Sequence, residues 1–311
     1  MDLQRKRVTV TGGAGFLGRH VVKRLTDIGA HVSVPRSRSF DLTKREDVSR
    51  MYEALEPEVV IHLAAVCGGI GANQKEPGRF IYENLVMGAE MIDAAKDFKV
   101  AKFVQVGTVC SYPKFCPVPF KEEDIWDGYP ESTNAPYGIA KKTLMEMCRA
   151  YRAQYGLNAI TVIPVNLYGP YDNFDENTSH VIPALIKKCV EAKAANAPNI
   201  NVWGTGKAGR EFLYVEDCAE GIVLATQHYD SSDPVNLGTG FDLTIDQLLA
   251  LIQRTTEYFG QVVYDSTKPD GQPRRRLDVS RAKAFGFTAN TDLLAGLEKT
   301  VRWYESSGGA F

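Results

Sequence analysis

Tyr137 and Lys141 stand four residues apart in Tyr137-Gly138-Ile139-Ala140-Lys141, at the head of a stretch patterned as a helix. That spacing puts a phenol and an ammonium on one helix face. A free tyrosine has a pKa of about 10, too high for easy proton exchange at neutral pH, and a nearby cation lowers it by stabilising the phenolate. Such a pair can exchange the proton of a carbonyl or alcohol while a hydride moves. The same spacing also occurs on ordinary amphipathic helices, so a second signal is needed.

Thr11-Gly12-Gly13-Ala14-Gly15-Phe16-Leu17-Gly18 supplies it. The run follows an apolar strand pattern and opens a helix pattern, the context in which a glycine triplet binds a dinucleotide. Gly12 would permit the tight turn, Gly15 the approach of backbone to a pyrophosphate, and Gly18 close packing of helix on strand. The helix N-terminus at Phe16 and Leu17 offers N–H groups and partial positive charge to phosphates. After the second strand, where NAD sites usually carry an acid, the chain reads Val34-Pro35-Arg36-Ser37-Arg38-Ser39. Two guanidinium groups suit a 2′-phosphate, so Arg36 and Arg38 point to NADP(H). Asp41 follows, as a contact for the adenine end.

These residues need a scaffold, and the pattern supplies an α/β one. Strands are expected at Val8–Val10, Val32–Val34, Val59–Leu63, Lys102–Val106 and Ala159–Pro164. Helices are expected at Phe16–Ile28, Thr43–Leu55 with Thr43 as its cap, Ile81–Phe98 and Tyr137–Tyr155. The βαβ rhythm predicts a Rossmann-type, doubly wound parallel sheet with right-handed crossovers. Val59–Leu63 is apolar throughout, as in a strand buried on both faces. After about Asn166 the loops lengthen. Short strands (Asn201–Trp203, Val235–Leu237, Val262–Tyr264) mix with helices (Val181–Ala192, Val215–His228, Ile245–Phe259, Leu293–Trp303). The expected division is an NADP-binding domain over 1–165 and a smaller α/β substrate domain over 166–311, with segments interleaved.

The chain has 311 residues, 44% hydrophobic and 24% charged, with 36 basic and 38 acidic residues and a net charge of −2. That is ordinary globular composition and argues against a broad nucleic-acid face. No signal peptide or spanning segment is read, which predicts a cytoplasmic protein without a membrane partner. The six cysteines and five histidines lack metal-ligand spacing, so no metal is expected.

Taken together, the glycine loop, Ala64-Ala65, Asn84 and the Tyr137/Lys141 pair resemble the extended short-chain dehydrogenase/reductase superfamily over the whole chain. A closer resemblance is to the GDP-L-fucose synthase family, whose members are 3,5-epimerase/4-reductases. It rests on Gly107-Thr108-Val109-Cys110-Ser111-Tyr112-Pro113-Lys114 and on the segments Cys67 to Asn73, Asn166 to Phe174 and Ser179 to Leu185. Val202-Trp203-Gly204, Arg210-Glu211-Phe212-Leu213 and Lys268-Pro269-Asp270-Gly271 complete it. The chain departs from the family pattern at Val109, where a serine is common, at Ser111, and in the general form of its glycine loop.

The resemblance implies a catalytic set of Thr108, Cys110, Tyr137, Lys141 and His180. Thr108 would bond the substrate carbonyl, Cys110 would act as base and His180 as acid for inversion at carbons flanking a 4-keto group. A thiol near 8.5 and an imidazole near 6.5 can both exchange protons near neutrality. It extends the coenzyme contacts to Ala64, Ala65, Lys141, Pro164, Asn166, Leu167 and His180. It places Lys188, Trp203, Arg210, Asp270 and Arg275 on a GDP-sugar, with Arg275 near the phosphates. It implies a homodimer joined by two helices per subunit. A GDP-mannose 3,5-epimerase, or another nucleotide-sugar epimerase/reductase of the superfamily, is the alternative.

Overall fold

Strand-helix alternation through the first half builds one parallel sheet, and the chain then returns to that sheet after making a second core. The computed structural model describes residues 1–176, 178–268 and 270–307. In chain order the elements begin β1 (Arg7–Thr11), α1 (Phe16–Asp27), β2 (His31–Ser33), α2 (Arg45–Leu55) and β3 (Val59–His62). They continue through α3 (Ile70–Lys75), α4 (Pro77–Asp97), β4 (Lys102–Val106), α5 (Ala135–Tyr155), β5 (Ala159–Pro164) and β6 (Asn166–Tyr168). Then come α6 (Val181–Ala194), β7 (Asn199–Trp203), β8 (Gly209–Tyr214), α7 (Val215–His228) and β9 (Val235–Leu237). The last are β10 (Asp242–Thr244), α8 (Ile245–Thr256), β11 (Gln261–Asp265), α9 (Ser280–Ala284) and α10 (Leu293–Ser307).

The main sheet runs β2-β1-β3-β4-β5-β9, with every neighbouring pair parallel. β3, β4 and β5 are buried along their whole length. Side chains alternate across the sheet, and both faces are covered. Val59, Ile61, Val104 and Val106 face a core with Val21 and Leu25 of α1 and Cys218 and Ile222 of α7. Val60 and Phe103 face the opposite core, with Met51 of α2, Met91 of α4 and Leu144 of α5. The strand order reverses between β1 and β3, and ligands of such sheets lie outside the carboxyl ends at that point.

A separate core gathers Tyr168, Ile186, Val202, Phe212, Leu248, Ile252 and Val301 from β6, α6, β7, β8, α8 and α10. It carries a β10-β8-β6 sheet and a parallel β11-β7 pair.

Several local expectations change. α2 is capped at Lys44, and the Thr43 hydroxyl instead donates to Asp41 Oδ1 at 2.7 Å. α4 starts four residues early at Pro77, whose ring presets the first-turn φ. α8 stops at Thr256 because Glu257 adopts a left-handed φ of 55°. β2 is shifted one residue towards its N-terminus, to His31–Ser33. Val235–Leu237, read with the second half, closes the edge of the first sheet as β9. β8 escapes a hydrophobicity reading because Arg210 and Glu211 interrupt it. Glu211 is nonetheless fully buried, accepting the N–H groups of Thr239, Gly240 and Leu277.

Candidate active site

The glycine loop is packed so tightly that its composition follows from geometry. Gly12 has φ +69°, and a Cβ there would lie 2.8 Å from Ala64 N. A Cβ on Gly18 would lie 2.6 Å from Gly13 Cα and 2.8 Å from Gly12 C. Gly15 occupies the N-cap of α1 without a side-chain bond, so none covers the first-turn N–H groups of Phe16 and Leu17. Ala64 N donates to Thr11 Oγ1, which also bonds His62 Nδ1 at 2.8 Å. Asn84 clamps the Ala64-Ala65 turn through both the N–H and the C=O of Val66. Arg36 and Arg38 are exposed on the loop after β2, and neither makes an ion pair among the described residues. The Asp41 carboxylate accepts from Thr43 N and Oγ1 and pairs with Lys44.

At the next strand ends, Thr108 follows β4 and caps a short turn, its Oγ1 accepting from Cys110 N at 3.2 Å. The Tyr137 phenol bonds the Thr108 side chain and lies within electrostatic reach of Cys110 and Cys67. Loss of solvation raises its pKa well above the ordinary value, and the thiols add to this; only the Thr108 bond opposes it. The expected lowering by Lys141 is absent from this geometry. Lys141 Nζ instead donates to Val106 O at 3.1 Å, and burial pushes its pKa down to about 8. The Ser111 hydroxyl donates to Gly138 O at 3.0 Å, and a Cβ on Gly138 would meet the Cys110 carbonyl carbon at 3.0 Å. These contacts lock the thiol's turn onto the start of α5. Pro164 ends β5; Asn166 Nδ2 donates to Glu211 O, and Leu167 packs on the first core.

Two donors meet the Cys110 sulfur: Asn134 Nδ2 at 3.3 Å and Arg275 Nη1 at 3.7 Å. Arg275 was expected near phosphates. In this structure its guanidinium turns to the thiol, held by Gln272 Oε1 at 2.8 Å. His180 is the N-cap residue of α6, yet its side chain makes no capping bond. The residue is exposed, yet reduced solvation around the ring and then the Arg275 charge lower its pKa. Arg210 lies beside Arg275 and Cys110, and burial brings its pKa down to about 9. Thr108, Tyr137, Cys110, Arg275, His180 and Arg210 thus form one connected cluster.

The expected sugar-nucleotide contacts are more distributed. Trp203 is exposed at the end of β7, with Lys268 Nζ 5.2 Å from its ring centroid. Lys188 Nζ already donates to Asn201 O at 2.7 Å. The Asp270 carboxylate accepts from Thr205 N and Oγ1, and its carbonyl accepts from Arg210 Nη2 at 2.8 Å. Asp270 therefore braces the loop around Gly204. Pro269 of the same segment lies outside the described residues. Asn134 and Gln272 were missed by sequence reading. Asn134 sits three residues before Tyr137, and only contact with the thiol marks it out.

Among the described residues no cluster of metal-ligating side chains is present, and no helix is long and apolar enough to cross a membrane.

Known proteins resemble this chain along its length. The family described as the NAD dependent epimerase/dehydratase family matches residues 8–238. A probable GDP-L-fucose synthase 1 of Oryza sativa subsp. japonica is 41% identical over 300 residues, covering 96% of this chain and 92% of its own length. A GDP-L-fucose synthase of Sinorhizobium fredii is 40% identical over 305 residues, covering 98% and 97%. A GDP-L-fucose synthetase from Naegleria fowleri, solved bound to NADP, superimposes with a TM-score of 0.90. It is 28% identical, over 98% of this chain and 95% of that one.

Proposed function

This chain belongs to the NAD dependent epimerase/dehydratase family, and on that premise we propose that it is a GDP-L-fucose synthase. It inverts C3 and C5 of GDP-4-keto-6-deoxy-D-mannose and reduces C4 with NADPH to give GDP-L-fucose. The observation that carries the reading is the thiol of Cys110 in the same cluster as the Thr108–Tyr137 pair and His180. A ketone reductase needs the phenol, the lysine and the hydroxyl; the thiol and imidazole are what inversion adjacent to a ketone requires.

The residues present suit NADP(H). The loop at Gly12 and Gly18 has no space for side chains, leaving backbone to face a pyrophosphate, and Arg36 and Arg38 have no carboxylate partner among the described residues. Gly12, Gly15, Phe16, Leu17 and Gly18 hold the pyrophosphate, and Arg36 and Arg38 the 2′-phosphate. Ala64, Ala65, Pro164, Asn166 and Leu167 line the remaining coenzyme cleft, with Lys141 and His180 at its reactive end. When bound, NADPH supplies the hydride that reduces C4.

Thr108 and Tyr137 hold the C4 oxygen, where negative charge gathers as an enolate forms. Cys110 removes the proton next to that carbonyl, and His180 returns one to the opposite face. The imidazole's lowered pKa makes its protonated form the stronger acid. Tyr137 finally gives its proton to the C4 oxygen. Lys188 and Arg210 meet the diphosphate, Trp203 packs near the guanine or ribose and Asp270 contacts the nucleotide, with Lys188, Arg210 and Asp270 exchanging the internal bonds they now make. Residues 1–165 chiefly serve the coenzyme and 166–311 the nucleotide sugar. The enzyme works in the cytoplasm as a homodimer through α4 and α5, on which Tyr82 and Tyr155 are exposed.

The test is incubation with GDP-4-keto-6-deoxy-D-mannose and NADPH, following the nicotinamide absorbance and identifying the sugar. Stoichiometric NADPH loss with GDP-L-fucose is expected. Inversion without NADPH loss, or reduction without inversion, overturns the assignment.

A further inference from the structure

We propose that Asn134 and Arg275 are positioning residues for Cys110, aiming its sulfur and holding it as the thiolate. The inference deepens the reading above, since it rests on Cys110 as the base. It comes from the unusual situation of Arg275. In the run Arg274-Arg275-Arg276 the two outer guanidinium groups pair with Asp242. Arg275 turns inward, is only 7% exposed, and pairs with no carboxylate among the described residues. A buried cation without a counter-charge is costly. Among the described residues, the group that its guanidinium meets and that can become an anion is the Cys110 sulfur, 3.7 Å away. A guanidinium beside a thiol favours its ionised form, and a second N–H donor adds to that preference.

Both donors are fixed in place. Arg275 Nε donates to Gln272 Oε1, while Gln272 Nε2 donates to Pro113 O at 3.0 Å and Lys114 O at 2.8 Å. Gln272 thus ties the arginine's segment to the chain that leaves the cysteine turn. The backbone adds Arg275 N to Gly209 O, Phe120 N to Arg276 O and Leu277 N to Glu211 Oε2. Asn134 is buried at the N-cap of α5, and its Oδ1 has no partner among the described residues. Its Nδ2 is the side of the amide that meets the sulfur.

The other charged and titratable groups around the thiol are consistent with this arrangement. Arg210 of β8 and Tyr137 of α5 lie within electrostatic reach of Cys110, and His180, the N-cap of α6, lies within reach of Arg275. The carboxylates of Asp270 and Glu131 act on Arg210. The same cation that favours the anion of the base therefore disfavours the cation of the proposed acid. One arginine biases both partners towards giving up their protons.

The experiment uses the full chain without substrate, so an incorrect sugar assignment leaves it intact. Cys67 is exposed and is first replaced by serine; Cys116, Cys148, Cys189 and Cys218 are buried. Iodoacetamide labelling of Cys110 is then followed by peptide mass across pH. Arg275→Gln should slow labelling at neutral pH about tenfold and move the profile's midpoint to higher pH, one pH unit being about tenfold in thiolate. Arg275→Lys, which keeps the charge, should recover most of the rate. Asn134→Ala should slow labelling roughly threefold, within the range of one lost hydrogen bond. An unchanged profile in Arg275→Gln overturns the proposal and leaves the arginine to the substrate's phosphates. If that variant does not fold, an unchanged profile in Asn134→Ala overturns it instead.

Discussion

Replacing Gly18 by alanine should damage the coenzyme site by displacing the glycine loop that holds the pyrophosphate. The added Cβ would stand 2.6 Å from Gly13 Cα and 2.8 Å from Gly12 C, and closer still to the Gly12 carbonyl oxygen. Carbon atoms pack comfortably at about 3.5–4.0 Å, so the loop must retreat by roughly 1 Å. It has nowhere to go: ideal Cβ positions on Gly12 and Gly13 already fall 2.8 Å from Ala64 N and 2.9 Å from Val34 side-chain carbons. Overpacking of this kind costs about 1–3 kcal/mol. If most of it falls on the loop, NADPH affinity drops roughly tenfold to a hundredfold, at about 1.4 kcal/mol per factor of ten. Gly15→Ala is the control. Its φ is −80°, and its nearest heavy atom is Gly12 O at 3.3 Å, so the fold should accept the methyl while the phosphate approach is obstructed. Thermal melting of the coenzyme-free protein and NADPH fluorescence titration separate the two variants. Gly18→Ala should lose a few °C and much affinity, whereas Gly15→Ala should lose affinity alone. Wild-type melting and binding in Gly18→Ala would refute the packing argument.

Lys141→Met should abolish turnover while making the fold more stable by about 1–3 kcal/mol at pH 7, because a buried ammonium with one carbonyl partner is removed. The lysine's proton is held to about 8 in the folded chain against an ordinary 10.5. The unfolded chain therefore binds more protons between those values, and wild-type stability rises with pH across that window. The gap to the variant, measured by denaturant titration, is full below pH 8 and closes towards 10.5. Arg36→Ala and Arg38→Ala should each weaken NADPH roughly tenfold and leave NADH within about twofold, as expected for a charge-assisted contact to the 2′-phosphate. At least tenfold tighter NADH binding by the unaltered protein would remove both arginines from that role. Cys110→Ser should keep its melting temperature and NADPH affinity but lose about 10²–10⁴-fold in deuterium incorporation at C3 and C5. Wild-type incorporation would exclude the thiol as base.

The chain's local pattern was sufficient for much of this protein. Buried apolar runs mark β3, β4 and β5 because a parallel strand covered by helices on both faces has no polar side to show. The glycine positions could be read because a turn of positive φ and a strand-helix approach are short-range demands. Tyr137 and Lys141 were legible as a pair because helical spacing alone puts them on one face, although the direction in which the ammonium points was not. Resemblance to known relatives brought Thr108, Cys110 and His180 into the same account.

What needed tertiary structure was every pairing between residues distant in the chain. Arg275 meets a thiol 165 positions earlier in the chain, and Gln272 ties the two segments together. Nothing in the local pattern of Arg274-Arg275-Arg276 distinguishes the inward arginine from its neighbours. The resemblance placed Asp270 and Lys188 on the nucleotide sugar, and in the structure they brace Thr205 and Asn201. Glu211, known from the sequence only as part of a family motif, is an internal anchor for three backbone amides. The physical reason is common to all of them. Which face a side chain takes follows from neighbours three or four residues away, but which partner satisfies its charge follows from how distant surfaces pack.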